Sequence, residues 1–385
     1  MLQNPKIMFS AGEPSGDLHG ESLAKAVRKL SPNAELIGFG GPKMEAAGVR
    51  LCCDMREYTV MGVVEVVLNL RRILGLLDKL CDFMQKEKPD ILVLIDYPDF
   101  NWRLAKKAKA MGITVFSYIP PSAWAWRKGR AKKCSAIADE FAAIFPFELP
   151  VYQAAGANIT FQGNPLIDTV HASMTEDEAR QHFGVKVGAV PVLLIPGSRK
   201  QEINMLLPAM LEAAVKLKAE NKDIEFYLPI APGIDRALLQ SKLNVHPELN
   251  INLTEDCTYD LMNIGRFALA TSGTVVLEAA IMGLPCVALY RMAKLNYFIG
   301  KMLVDITYFT LPNLLLNRGI QPELLQDEVN TERIFAEGSR FLHDEAYYEK
   351  VKAGLREAVA VLGEPNAAER VAGRILAAAE KFSKR

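Results

Sequence analysis

The sequence lacks an excess of charge of either sign. Its 385 residues include 45 basic and 45 acidic side chains, so the formal net charge is zero. A protein that mainly binds nucleic acid needs surplus Lys and Arg to neutralise phosphates, and this composition argues against such a partner. Half of the residues are hydrophobic, too many for a disordered chain, and the length predicts two or three domains.

Signals for an oxidising compartment or a membrane span are also missing. The six cysteines form no C-x-x-C pair and none has a histidine at zinc-ligand spacing, a pattern typical of reduced thiols in the cytosol. No run of 18 apolar residues occurs, which argues against a transmembrane helix. Residues 1–6 lack the apolar stretch of a signal peptide. We therefore expect a cytoplasmic protein.

Several catalytic motifs are absent as well. Without G-x-G-x-x-G a dinucleotide oxidoreductase is disfavoured, and without D-x-D no catalytic metal is implied. Walker A, G-x-S-x-G and H-E-x-x-H do not occur. The histidines share no motif and are expected at the surface: His19, His171, His182, His246 and His343.

What the sequence does contain is a regular alternation. Short runs rich in Val, Ile and Phe are each followed by a helical pattern, which predicts α/β domains with parallel sheets covered on both faces. The pattern pauses near 163–165 and then restarts. We expect two such domains facing across a cleft, at 1–168 and 169–345. The C-terminal helices, 346–385, should pack back toward the N-terminal domain or a partner chain.

Ligands of open α/β sheets bind beyond the carboxyl ends of the strands, so the residues after each strand are site candidates. The first strand is followed by Gly12-Glu13-Pro14-Ser15-Gly16-Asp17. Its glycines would let a ligand approach the backbone, and Glu13 favours a sugar hydroxyl over a phosphate. The alternative is a tight turn in which Ser15 or Asp17 caps a helix that starts near Asp17.

Another acidic candidate follows the strand at 91–95. Asp96 comes directly after five apolar residues, so it should lie at the mouth of the cleft as a general base, with Asp99 in support. Asp99 could instead cap the next helix. Residues 127–133 then contain five basic side chains, preceded by Trp124 and Trp126. They predict either phosphate recognition or a solvated helix face beside a core tryptophan.

The second half carries two strand ends suited to anions. Pro196-Gly197-Ser198-Arg199 and Thr271-Ser272-Gly273-Thr274 each open a helix, whose N-terminus offers unpaired N–H groups. Arg199 adds a guanidinium fork for a diphosphate. Glu278, one turn beyond Thr274, would accept hydrogen bonds from a ribose diol or is an ordinary surface glutamate. Together these predict sugar transfer from a nucleoside diphosphate bound in the second half to an acceptor in the first.

Residues 60–77 form an unusually apolar amphipathic pattern. On a helical wheel Glu65, Asn69 and Arg72 share one stripe, and the apolar face opposite is wide. A buried core helix is one interpretation. The other is an interfacial helix that dips into a bilayer, through the residues Val63, Val67, Leu70 and Leu74.

Eight segments, in order along nearly the whole chain, resemble the lipid-A-disaccharide synthases of lipopolysaccharide biosynthesis. They are AGEPSGD (11–17), MGVVEV (61–66), IDYPDFN (95–101), SAWAWR (122–127), PGSR (196–199), TSGTVVLE (271–278), LPNLL (311–315) and ELLQ (323–326). The chain departs from the family pattern at Pro14, at Pro120-Pro121-Ser122, and at Asn164, where the family has His in G-H-P.

This resemblance implies a GT-B-type fold of two Rossmann-like domains and inverting, metal-independent transfer with no cofactor. The reaction would join UDP-2,3-diacylglucosamine to 2,3-diacylglucosamine 1-phosphate (lipid X), with release of UDP. It implies Asp96 as the base, with Glu13 and Asp99 as the other candidates. The UDP contacts would be Arg199, Ser272, Gly273, Thr274, Glu278, Tyr290 and Arg291, and the acceptor contacts Ser15, Trp126, Arg127, Asn313 and Gln326.

Because both substrates carry acyl chains, the resemblance also favours the interfacial helix. It implies a peripheral protein on the inner face of the inner membrane, where the lipid surface is a partner. A homodimer stays open as an oligomeric state. Two other functions remain alternatives: a UDP-N-acetylglucosamine 2-epimerase-like enzyme, and a nucleotide-sugar-binding protein without catalysis.

Overall fold

The computed structural model describes residues 4–58, 70–123, 130–293, 297 and 306–382. The chain divides into two compact units, which we call the first domain (Met1–Pro165 with Leu362–Arg385) and the second domain (Leu166–Val361). The helix Glu345–Ala360 therefore lies in the second domain. Only the last helix returns to the first, so residues 346–385 do not form one segment as expected.

The first domain is built on a seven-stranded parallel sheet with the order β3-β2-β1-β4-β5-β6-β7. Its five inner strands are largely buried on both faces, as is typical of parallel sheets, whereas the two outer strands are partly exposed. The strands are β1 (Lys6–Ala11), β2 (Glu35–Gly40), β3 (Arg50–Asp54), β4 (Ile91–Ile95), β5 (Thr114–Tyr118), β6 (Glu140–Ala143) and β7 (Ile159–Phe161). The described helices are α1 (Pro14–Leu30), α2 (Pro42–Ala46), α3 (Leu70–Glu87), α4 (Pro98–Ala110), α5 (Arg130–Ser135) and α6 (Glu148–Ala154).

The second domain is built on a six-stranded parallel sheet with the order β10-β9-β8-β11-β12-β13. Its strands are β8 (Val190–Ile195), β9 (Ile224–Pro229), β10 (Asn252–Thr254), β11 (Phe267–Thr271), β12 (Cys286–Tyr290) and β13 (Glu323–Leu325). Its described helices are α7 (Leu166–Thr169), α8 (Glu176–His182), α9 (Lys200–Glu220), α10 (Arg236–Leu243), α11 (Thr258–Ile264), α12 (Thr274–Ile281), α13 (Leu311–Leu316), α14 (Thr331–His343) and α15 (Glu345–Ala360). The prediction of two parallel-sheet α/β domains is confirmed.

The last helix, α16 (Ala367–Phe382), packs on α1 in the first domain. Its residues Val371, Ile375 and Ala378 are buried, and burying a side chain the size of Val or Ile stabilises by about 1.5–3 kcal/mol. This apolar stripe explains why the chain returns to the first domain after leaving it.

Asn164 joins the two points at which the chain leaves and re-enters the first domain. Its backbone N–H donates to the carbonyl of Leu362 (2.8 Å), and its Nδ2 donates to the carbonyl of Ile144 (3.0 Å). The amide at the position where the family has His is therefore part of this junction.

Among the described residues, no helix is both long and apolar enough to cross a membrane.

Candidate functional site

Each sheet has one point at which the strand order reverses, where the loops diverge and leave a crevice for a ligand. In the first sheet this point lies between β1 and β4, whose ends pair as Ala11 with Ile95. In the second sheet it lies between β8 and β11, where Ile195 pairs with Ala270. The loops predicted to carry the site follow these four strands.

Asp96, which directly follows β4 at the first reversal point, has a constrained backbone conformation. Asp96 and Tyr97 both have positive φ, 47° and 52°, an arrangement that costs about 1–3 kcal/mol per residue. Asn101 holds this turn, because its Nδ2 donates to the carbonyl of Asp96 (2.6 Å) and its Oδ1 accepts from Ser10 Oγ (2.8 Å). The Asp96 carboxyl is half-buried, and burial raises its pKa.

Two further carboxylates approach the same turn. Burial raises the pKa of Tyr97, and the charges of Glu13 and Asp99 raise it further. Gly12 lies against the Tyr97 ring, since a Cβ there would be 2.3 Å from Tyr97 Cδ1. Asp99 is in the first turn of α4, whose N-cap residue is Tyr97. The structure thus places the three predicted acidic residues, Glu13, Asp96 and Asp99, at the carboxyl edge of the first sheet.

The loop after β1 differs from its prediction. Helix α1 begins at Pro14 rather than near Asp17, with Glu13 as its N-cap residue and Ser15 exposed in its first turn. The tight turn that we predicted as an alternative is therefore absent. Asp17 is buried and caps the start of α2 instead of its own helix, because it accepts from the N–H groups of Gly41 (2.9 Å), Lys43 (3.1 Å) and Met44 (3.0 Å).

His19 also departs from its prediction. His19 is half-buried rather than exposed at the surface as expected, and this burial lowers its pKa to about 4. Its ring lies edge-on to that of Tyr118, at 6.1 Å between centroids.

In the second domain, the loop after β8 already holds a carboxylate. Glu202 accepts from the N–H groups of Ser198 (3.1 Å) and Arg199 (3.2 Å), and from Arg199 Nη1 (2.9 Å). Gly197 has φ 118°, and a Cβ there would meet Glu202 at 2.4 Å. Although Arg199 is paired with Glu202, its side chain is 80% exposed. Glu202 therefore occupies the backbone N–H groups of Ser198 and Arg199, and this loop offers an oxyanion the exposed guanidinium nitrogens of Arg199 that Glu202 does not use.

The loop after β11 opens helix α12 toward solvent. Ser272 Oγ donates to the carbonyl of Phe309 (3.5 Å), while Gly273 and Thr274 are exposed. No atom of the described residues lies within 4 Å of a Cβ built on Gly273. The positive end of the α12 dipole is a suitable place for a phosphate.

A cavity of about 550 Å³ lies beyond the carboxyl ends of β8 and β9, and Glu278 lines it. Burial raises the pKa of Glu278, which accepts a hydrogen bond from Tyr259. Burial and this bond raise the pKa of Tyr259 to about 12. Glu278 is therefore half-buried beside a cavity and is not an ordinary surface glutamate. Sequence reasoning missed Tyr259, although it follows β10 on the same edge of the sheet.

Two of the predicted ligand contacts have partners within the second domain. The guanidinium of Arg291 donates to the carbonyls of Gln326 (3.3 Å), Met205 (3.3 Å) and Val329. The Gln326 side chain accepts from Met292 N–H (3.0 Å) and donates to the Met292 carbonyl (3.2 Å). These bonds fix the loop after β12 to the end of β13.

Asn313 is buried, and all of its polar groups are bonded inside the domain. Its Nδ2 donates to the Gln321 carbonyl (3.0 Å) and Glu323 Oε1 (2.9 Å), and its Oδ1 accepts from Ile320 and Gln321 N–H. The structure gives Asn313 a structural role rather than a ligand contact. Tyr290 is half-buried, and burial raises its pKa. The nearby charge of Glu202 raises this pKa further and that of Arg199 lowers it. Tyr290 therefore lies near the loop that follows β8.

Several predicted residues fall outside the described part of the chain. They are Trp126 and Arg127 of the acceptor group and Val63 and Val67 of the apolar face, together with the side chain of Leu70. Leu74 is described in α3, and its side chain is 41% exposed.

Comparison with known sequences gives a family. Residues 7–374 match the family model described as Lipid-A-disaccharide synthetase. A curated relative named Lipid-A-disaccharide synthase, from Geobacter sulfurreducens, is 41% identical over 371 residues, which cover 96% of this chain and 96% of the relative.

Solved structures show the same fold at low identity. The S. aureus MnaA–UDP complex superposes with a TM-score of 0.68 and 15% identity, covering 96% of each chain. CalG4, the calicheamicin glycosyltransferase, has a TM-score of 0.63 and 14% identity, covering 99% of each chain. These likenesses concern the fold alone, and they confirm the predicted GT-B-type architecture.

Proposed function

This chain belongs to the lipid-A-disaccharide synthase family, and we propose that it joins UDP-2,3-diacylglucosamine to lipid X. The products would be lipid A disaccharide 1-phosphate and UDP. The observation that carries the proposal is the different chemistry of the two reversal points. Three carboxylates lie at the first, whereas the second has an exposed guanidinium paired with Glu202, together with the hydroxyls and the open helix start at Ser272–Thr274.

The donor nucleotide is proposed to bind in the second domain. Glu278 would accept hydrogen bonds from the ribose diol at the wall of the 550 Å³ cavity. The diphosphate would meet the start of α12 at Ser272–Thr274 and the N–H groups of Arg199 that Glu202 does not use. Tyr290 and Arg291, at the end of β12, would present backbone groups to the uracil, and the bonds of the Arg291 guanidinium to the carbonyls of Gln326, Met205 and Val329 would hold that backbone in place.

The acceptor is proposed to react at the first domain. Asp96 would take the proton from the 6-hydroxyl of lipid X while that oxygen attacks the anomeric carbon from the face opposite UDP. The bond between the anomeric carbon and the phosphate oxygen then breaks, UDP leaves with the electron pair, and the configuration inverts. A raised pKa suits this role, because a general base works best when its pKa is near the working pH. Glu13 would accept a hydrogen bond from the sugar.

Charge that develops on the leaving UDP would be stabilised by the chain itself. Helix dipoles and preorganised N–H groups act on developing oxyanions without a metal, and the loops after β8 and β11 provide both. Ser15, with Trp126, Arg127 and the basic residues up to Lys133, remains the proposed contact set for the acceptor and its phosphate.

The acyl chains of both substrates call for contact with a lipid surface. We propose that the protein works at the cytoplasmic face of the inner membrane through Val63, Val67, Leu70 and Leu74; the exposure of Leu74 supports this. Replacing all four by Ser should abolish vesicle flotation and leave the thermal melt normal. A collapsed melt would show that this face belongs to the core.

The proposal is tested with both substrates in one assay. The purified protein is mixed with UDP-2,3-diacylglucosamine and lipid X, and UDP and disaccharide are followed by mass spectrometry with and without excess EDTA. We expect equal amounts of the two products, with no effect of EDTA. Absence of disaccharide would refute the proposed reaction, and a strict requirement for added Mg²⁺ or Mn²⁺ would refute its metal-free mechanism.

A further inference from the structure

Three side chains of different chemistry meet in the second domain, apart from the groups assigned to the reaction. His182 ends helix α8, and Asp256 and Cys257 precede helix α11. One ligand atom from each lies within 4.8 Å of the others, and His182 Nε2 is 3.9 Å from Asp256 Oδ1. Within the described part of the chain, this is the only group of three or more His, Cys, Asp or Glu side chains whose ligand atoms lie this close together.

The backbone that carries this cluster is held in place. Buried Asp260 in α11 accepts from the N–H groups of Ser173 (2.7 Å) and Met174 (2.6 Å), which ties α11 to the segment before α8. Thr175 and Glu178 form a capping box at the start of α8. The two helices are thus fixed to each other independently of any ligand. A preorganised frame reduces the ordering cost of binding.

The donor set selects a class of ion. Imidazole nitrogen and thiolate sulfur suit Zn²⁺ and related transition metals, whereas Mg²⁺ and Ca²⁺ prefer oxygen ligands. Ligands around a tetrahedral Zn²⁺ are about 3.4 Å apart, given metal–ligand distances near 2.0–2.3 Å. His182 and Asp256 are exposed, so small side-chain rotations can close the difference. We propose that His182, Asp256 and Cys257 bind a thiophilic divalent metal ion of the zinc class.

The position of this metal site has a consequence for the donor pocket. Cys257 lines the 550 Å³ cavity together with Tyr259 and Glu278, so a metal on its sulfur lies at the rim. A divalent cation there adds positive charge beside the anionic nucleotide, so bound Zn²⁺ should strengthen UDP binding, an expectation that rests on the proposed function. The metal site itself does not depend on the proposed function.

The direct test is titration of the purified, reduced full-length chain with Co²⁺, followed by absorption spectroscopy. A near-ultraviolet charge-transfer band at one equivalent would report a cobalt–thiolate bond, and Zn²⁺ should displace it. Cys257→Ser should abolish the band, and His182→Ala should abolish or strongly weaken it. His171→Ala, which alters another histidine of the same cavity, and Cys81→Ser, which alters a thiol of the first domain, should leave it unchanged. Absence of a band in the unaltered chain, or its survival in Cys257→Ser, would overturn the proposal.

The coupling to the nucleotide is tested separately by calorimetry. UDP is titrated into the chain with and without saturating Zn²⁺, and then into His182→Ala under the same two conditions. We expect Zn²⁺ to raise UDP affinity only in the unaltered chain. A cobalt band with equal UDP affinities would refute the coupling alone. Absence of UDP binding under all conditions would count against the proposed function and not against the metal site.

Discussion

The two sheets share the order of their first six strands, to which the first sheet adds a seventh, but they differ in the residues that come after the strands at their reversal points. The first places Glu13, Asp96 and Asp99 there, with Asp96 in a turn held by Asn101. The second places a glycine-containing loop at each position, with Arg199 beside one and an open helix start at the other. The fold thus provides two equivalent crevices, and a few loop residues determine their chemistry.

This difference supports the proposed placement of the two substrates. A diphosphate near three carboxylates would be repelled, whereas a sugar hydroxyl that must lose a proton finds a base there. The second crevice has the reverse preference, because N–H groups and a guanidinium attract an anion. Changes that remove one preference should therefore leave the other intact.

Asp96→Asn should have the largest effect. It preserves shape and removes the base, and such a loss typically lowers turnover ~10²–10⁴-fold. UDP affinity should be unchanged by calorimetry, because the nucleotide is assigned to the other domain. Since the base must be ionised and burial raises its pKa, turnover of the unaltered chain should fall as the pH drops through that raised value. Near-normal turnover in the variant would transfer the role to Glu13 or Asp99.

Glu148 tests whether burial raises carboxyl pKa values along the same edge of the first sheet. It follows β6, accepts from Ile144 and Phe145 N–H, and burial raises its pKa from 4.5 to about 7. The folded state therefore holds this proton more tightly, so the associated stability is present below pH 4.5 and is lost as the pH rises to about 7. The shift corresponds to about 3 kcal/mol.

Urea unfolding of Glu148→Gln between pH 4.5 and 8 measures this contribution. The free energy of unfolding should fall less steeply with rising pH in the variant than in the unaltered chain. Exposed Glu349→Gln, the matched control, should keep the original slope. Parallel curves for Glu148→Gln and the unaltered chain would contradict the raised pKa.

On the second edge, Arg199→Ala and Glu278→Gln should each weaken UDP binding. A hydrogen bond to a charged group contributes roughly 1.5–3 kcal/mol, which corresponds to about 10- to 100-fold in affinity. Lys200→Ala, which removes the adjacent cation of α9, is the control and should have little effect. If calorimetry gave unchanged UDP affinity in both variants, the nucleotide site would have to be elsewhere.

Tyr259→Phe should have the smallest effect. It removes one neutral donor to Glu278, and such a bond contributes about 0.5–1.5 kcal/mol. UDP affinity should therefore fall only a few-fold. A loss as large as that of Glu278→Gln would mean that Tyr259 contacts the nucleotide directly.

The strands and the positions of the loops could be predicted because they depend on local pattern. Apolar runs mark buried strands, and the carboxyl-edge rule then selects the residues at 13, 96, 199 and 272–274. The start of α1 could also have been predicted, since Pro14 is favoured at the first helical position. The predicted start is too late because Asp17 has the residue type that caps its own helix, whereas it caps α2.

Asn101 and Glu202 are local partners of Asp96 and Arg199, at sequence separations of 5 and 3, and the sequence could have indicated them. Partners on separate elements could not be predicted in this way. Tyr259 acts on Glu278 only because tertiary packing brings α11 beside α12. The same reason explains Asn313, whose bonds to Ile320, Gln321 and Glu323 depend on how the loop after α13 folds. His182 and Cys257 are likewise too far apart in sequence for any ligand spacing to reveal them.

The assignment of the nucleotide to the second domain is tested most directly by amide hydrogen exchange with and without saturating UDP. We predict slower exchange at 197–203, 257–260 and 272–278, and unchanged exchange at 12–17 and 95–101. Protection confined to 12–17 and 95–101, with none at 272–278, would contradict the proposal that the nucleotide binds in the second domain.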